Sequence, residues 1–161
     1  MHTFDQLELV TEISATLLGF VAVFLALSNR EGKFLASDRH FVQALVVNSA
    51  YCLVLGLSPR ALSLFLVSSF WLPSLVIAAV GGLVVSTVMA WTQLRMSQKE
   101  KAKVNGLWHV PPWGLALVAT TLIVVAFFHM EQASAYYVGA TTLLVGISVW
   151  CFIAVVFRRF F

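Results

Sequence analysis

Little in this sequence is charged. Aspartate, glutamate, lysine and arginine together make up 11% of its 161 residues, less than half of the roughly one quarter that a soluble globule carries. A water-soluble domain is excluded on that ground, and lipid is the solvent for most of the chain. Cysteine is scarcer still. Cys52 and Cys151 each sit inside an apolar stretch, in opposite halves of the bilayer on the topology below, so neither a disulfide framework nor a metal-binding cluster is implied. They read as small packing residues. His40, His109 and His129 fall at the ends of spans with no second histidine or cysteine at ligand spacing, so no metal and no cofactor is expected. A nucleophile motif, a Walker-type glycine loop and an intramembrane acid pair are also missing. That argues against a protease, a phosphotransferase or a lipid hydrolase, and no catalytic residue is nominated.

What the sequence does have is hydrophobic mass. Apolar side chains make up 60% of the chain, gathered into windows of about 20 residues, the length with which an α-helix crosses a hydrocarbon core of about 30 Å. A transmembrane β-barrel would instead show alternating segments of about ten residues. The expected fold is therefore all-α: a single polytopic transmembrane domain with spans at about 8–28, 40–57, 71–94, 112–129 and 134–157. Ser58-Pro59 is expected to end the second span, because proline cannot donate the helical hydrogen bond and disfavours helical angles in the residue before it. The stretch around 60–70, too short to cross, reads as an interfacial or re-entrant helix opened by that serine and proline. The start of the chain, MHTFDQLELVTEIS, carries three acids and no lysine or arginine, the opposite of a secretory leader, so the first span is expected to remain in the mature protein.

Charge sets the expected orientation. With five spans, the segments 29–39 and 95–111 and the C-terminus share one side and carry Arg30, Lys33, Arg39, Arg95, Lys99, Lys101, Lys103, Arg158 and Arg159; only Arg60 falls opposite. The positive-inside bias makes that basic side the cytoplasm, which puts the N-terminus outside and the C-terminus inside a bacterial-type plasma (inner) membrane. The net charge of +3 then serves topology and anionic headgroups, not nucleic acid.

Small residues recur at helical spacing as Ala15, Gly19, Ala22 and Ala26, as Ala78, Gly82, Ser86 and Ala90, and as Ala135, Gly139, Thr142 and Gly146. Close backbone approach over such stripes drives helix association in lipid. They pack either within the chain or, for at least one of them, against another subunit of a homo-oligomer.

Asp5, Glu8 and Glu12, spaced i, i+3, i+7, share one helical face, which Thr16 and Gly19 continue inward. An ionisable side chain in an apolar span is costly, which makes Glu12 a functional-site candidate. A ring of Glu12 carboxylates around an oligomer axis, with Glu8 and Asp5 above it, would concentrate cations at an outer mouth. A carboxylate that alternately holds a proton and a cationic substrate would serve a coupled transporter instead. The bland alternative puts Glu12 about one turn below the interface, reaching water or pairing with Arg60 or His129. Asn48, near the middle of the second span, must find a partner there: another helix's backbone, or Ser86, Thr87, Thr120 or Thr121.

The stretch SATLLGFVAVF resembles the pore-lining first helix of Orai calcium channels, and Glu12 followed by Ala15-Thr16 is similar to the first helix of small multidrug resistance transporters. Each likeness covers about a dozen residues, and both families have four spans. What the resemblance implies is a first helix facing a conduction path. The expected function is an oligomeric channel or transporter for cations, with Glu12, Glu8, Asp5, Thr16, Gly19 and Asn48 binding cations or lining the pore. The competing expectation is a non-transporting interaction subunit of a larger membrane complex.

Overall fold

The computed structural model describes residues 2–31, 36–66, 70–95 and 110–160. Lys33, positions 96–109 with Lys99, Lys101, Lys103 and His109, and positions 67–69 lie outside the described residues. The elements are α1 (His2–Glu31), α2 (Ala36–Ser63), α3 (Trp71–Arg95), α4 (Val110–Phe128) and α5 (Ala133–Phe160), with a 3-10 turn at Met130–Gln132 joining the last two. No strand occurs among the described residues. All five helices are long and apolar enough to cross a membrane. Hydrocarbon offers no partner to backbone N–H and C=O groups, so a spanning segment must satisfy them within itself.

Prolines show this accounting most clearly. Pro73 and the pair Pro111-Pro112 sit in the first turns of α3 and α4, where the missing N–H would have had no helical partner anyway. Pro59 is different, because it lies inside α2. The helix does not stop at Ser58-Pro59 to restart as a separate interfacial helix around 60–70; it continues to Ser63, and Leu64 and Phe65 follow as a turn. The reason lies on another helix. Pro59 cannot donate to the carbonyl of Leu55, and the Tyr137 hydroxyl of α5 donates to that carbonyl instead, at 2.9 Å. Ser58 Oγ lies 3.1 Å from the same hydroxyl. With the orphaned carbonyl satisfied, the proline costs less than its type suggests.

At the centre of the bundle are α2 and α5, each with 50% of its apolar window buried, against 17% for α3 and α4. Buried residues on α1 follow a 3-4 spacing, Leu7, Val10, Ser14, Leu17 and Val21, and pack it against both central helices. Where α1 crosses α2 the backbones nearly touch: a Cβ on Gly56 would overlap Thr11 Oγ1 and lie 3.1 Å from the Leu7 carbonyl. Ser14, Ser49, Cys52 and Ala140, all fully buried, keep this three-helix centre tight. α3 leans mainly on α2, with the Tyr51 ring 2.6 Å from where a Gly81 Cβ would be and the Tyr51 hydroxyl donating to the Ala78 carbonyl. α4 pairs with α5 by a short hairpin connection.

Candidate functional site

The N-terminal half of α1 carries the candidate charges, and the packing fixes where they face. Leu7, Val10, Ser14 and Leu17 take the inward face, which leaves Asp5, Glu8, Glu12, Thr16 and Gly19 together on the exposed one. Thr16 donates to the Glu12 carbonyl at 2.8 Å, a bond within its own helix. Glu8 Oε2 lies 3.7 Å from Arg60 Nη1, both side chains being largely exposed, so it is Glu8 that meets the single basic residue at this end. Glu12 follows four residues later, about 6 Å deeper along the axis at 1.5 Å per residue. His129 turns to its own helix and to an aromatic neighbour, with Nδ1 3.3 Å from the Val125 carbonyl and its ring 6.3 Å from that of Tyr136.

Aromatic rings collar this end of the bundle. Phe4, Phe70, Trp71 and Tyr137 form a chain with centroid separations of 6.0, 4.9 and 5.8 Å that runs inward from α1 to the buried Tyr137 of α5. At the other end of α3, the Arg95 guanidinium lies 4.7 Å over the Trp91 ring.

Of the three small-residue stripes, two have neighbours within the chain. Gly139 and Gly146 on α5 lie against Leu122 and Leu115 of α4, and Gly82 on α3 lies against the Tyr51 hydroxyl. On α1, Ala15, Gly19 and Ala22 are exposed, and a Cβ on Gly19 would meet nothing within 4 Å. The acidic face and the open stripe are therefore one continuous surface.

Compared with protein-family models, curated proteins and solved structures, the chain matches none. Function has to be argued from the geometry alone.

Asn48 belongs to a different part of the molecule. Its Nδ2 donates to the Leu144 carbonyl at 2.6 Å and to Ser148 Oγ at 2.8 Å, so of the partners expected it takes another helix's backbone. Thr87, Thr120 and Thr121 instead bond carbonyls four residues back on their own helices. Asn48 also borders a cavity of about 330 Å³ lined by α2, α3, α4 and α5. None of Asp5, Glu8, Glu12, Thr16 or Gly19 reaches it. The candidate residues thus divide into an outward face on α1 and an internal cavity beside Asn48. Reading the sequence did not find that cavity. Its signal is the set of alanines at 44, 78, 79, 116 and 119, which line it from three helices and which local spacing does not distinguish from tight packing residues.

Proposed function

We propose that this chain is a subunit of an oligomeric channel or coupled transporter for cations, in a plasma (inner) membrane, with its N-terminus outside and its C-terminus in the cytoplasm. The observation that carries this reading is the outward placement of Asp5, Glu8, Glu12, Thr16 and Gly19 on one face of α1 that no other described helix covers. A carboxylate about one turn below the Glu8 and Arg60 level and facing hydrocarbon is costly. Other copies of α1 around a hydrated path would relieve that cost and bring the Glu12 carboxylates together. The internal cavity is a poor cation path by comparison, since no acid lines it. The N-out orientation rests on the nine lysines and arginines that five spans place on one side.

The same open stripe of Ala15, Gly19 and Ala22 favours a second reading, in which α1 docks this chain as a non-transporting subunit against a larger membrane complex. Cation flux into liposomes holding the purified protein separates the two. Wild type should pass monovalent cations, calcium or protons down a gradient, and Glu12→Gln should abolish that flux or its selectivity. Folded wild type that passes none of them would refute transport.

A further inference from the structure

We infer that the cavity between α2, α3, α4 and α5 is a binding site for one long acyl chain whose anionic head lies at the cytoplasmic end, beside His40 and Gln93. Its shape makes the first argument. The lining runs from Ala78 to Gln93 on α3 and from Pro112 to Phe127 on α4, fifteen helical steps in each case, or about 22 Å at the helical rise. That is most of a hydrocarbon core of about 30 Å. A cavity of about 330 Å³ drawn out over that length is long and narrow, the shape of an extended chain.

The chemistry of the walls makes the second argument. Alanines, with Phe127, Ile123 and Leu144, supply most of the lining. Three of the polar groups along the shaft are already engaged, Asn48 with Leu144 and Ser148, the Tyr51 hydroxyl with Ala78, and Thr120 with Ala116, and the Ser86 hydroxyl is the other one there. A guest in the shaft therefore meets hydrocarbon, and an ion or a sugar would be desolvated there without compensation. Polarity is concentrated at one end. His40 and Gln93 line the cavity, and Thr92 Oγ1 lies 3.5 Å from His40 Nδ1. The Gln93 amide, beside the His40 ring, can donate to a carboxylate or phosphate head at the end of an apolar groove.

Access makes the third argument. Leu83 on α3 and Val124 on α4 both line the cavity and are exposed, 69% and 49% respectively. The cavity therefore opens sideways into the lipid between those helices, the route by which a bilayer amphiphile arrives.

The test is photo-crosslinking of a diazirine-labelled palmitic acid to the full-length protein in phosphatidylcholine nanodiscs, with the labelled peptides mapped. Crosslinks should fall on the lining of α2, α3 and α4, and unlabelled palmitate should compete at least tenfold better than its methyl ester. Ala116→Phe and Ala79→Phe, which fill the shaft from different helices, should each lower labelling at least fivefold. Leu117→Phe, on the exposed face of α4, should leave it unchanged. Each variant is first checked for a monodisperse, helical fold, and two blocking sites guard against one failing to fold. If phosphatidylglycerol displaces the probe better than palmitate does, the occupant is a two-tailed phospholipid and the single-tail assignment is overturned. Equal competition by acid and ester would overturn the anionic head. Labelling spread over lipid-facing residues, or indifferent to both blocking variants, would overturn the site.

Discussion

Tyr137→Phe removes one oxygen atom from the centre of the bundle, and the consequence depends on a proline 78 positions away in the chain. The Leu55 carbonyl has no helical donor because residue 59 is proline, and the Tyr137 hydroxyl at 2.9 Å takes that donor's place. Without that hydroxyl the carbonyl is buried with only Ser58 Oγ near it, at a distant 3.4 Å. A buried acceptor left unsatisfied costs about 1–3 kcal/mol, while measured interhelical hydrogen bonds in membrane proteins average about 0.6 and reach about 1.7 kcal/mol. We expect a loss of about 1.5 kcal/mol, roughly tenfold in the folding equilibrium. The decisive measurement is the double-mutant cycle. Pro59→Ala restores the N–H that α2 lacks, so Tyr137→Phe made in that background should cost only about 0.5 kcal/mol, a coupling of about 1 kcal/mol. Reversible unfolding in mixed micelles, followed by circular dichroism, gives all four stabilities. A coupling below about 0.3 kcal/mol, within ordinary additivity error, would refute the claim that the hydroxyl stands in for the proline's missing donor.

Asn48→Leu should cost less than Tyr137→Phe, about 0.6 kcal/mol, because the Leu144 carbonyl keeps its own helical bond and Ser148 can turn back onto α5; a loss above 2 kcal/mol in the same unfolding assay would mean that Asn48 does more than bridge α2 to α5. Gly56→Ala forces a methyl group onto Thr11 and the Leu7 carbonyl and should destabilise by about 1–3 kcal/mol, whereas Gly114→Ala, with open space around it, should be neutral or stabilising by up to about 1 kcal/mol. Equal effects at the two glycines would contradict the close α1 and α2 crossing. In a protein without native cysteines, Gln132→Cys should react with an impermeant reagent added outside intact cells and Gln98→Cys should not; the reverse pattern would overturn the orientation.

The five spans were legible because the evidence for each is local: about 20 apolar residues in a row admit one solution in lipid. The boundary at Pro59 was misread for the same reason. Its rescue comes from Tyr137, and nothing within the window around Ser58-Pro59 carries that information. An interior proline in an apolar span does imply a donor elsewhere, so a search for a hydroxyl on another helix could have found Tyr137. Asn48 was legible as a residue in need of a partner, since any amide in hydrocarbon must have one, but which helix supplied it depended on which helices became neighbours. The acidic face of α1 was legible as a face; that it points away from the internal cavity was not, because its direction is set by Leu7, Val10, Ser14 and Leu17 on the opposite side.

The small-residue stripes extend this lesson to what lies outside the chain. Similar residues at the same spacing have three different fates: Gly139 and Gly146 receive α4, Gly82 receives Tyr51, and Gly19 receives nothing. A stripe is thus only a capacity for close approach, and its use depends on what stands opposite. Since the α1 stripe also carries Glu12 toward lipid, covering it relieves two costs at once, exposed carboxylate and unmade packing. A second α1 is the simplest cover, because self-packing over glycine brings backbones close. Disulfide formation requires Cα atoms closer than about 7 Å, which makes Gly19→Cys in a cysteine-free chain a direct ruler. Mild oxidation in native membranes should yield crosslinked dimers at this position, with far fewer from Leu117→Cys on the outer face of α4. If Gly19→Cys crosslinks no better than that control while the protein remains folded, close self-packing of α1 over this stripe is refuted, and the stripe meets a different partner.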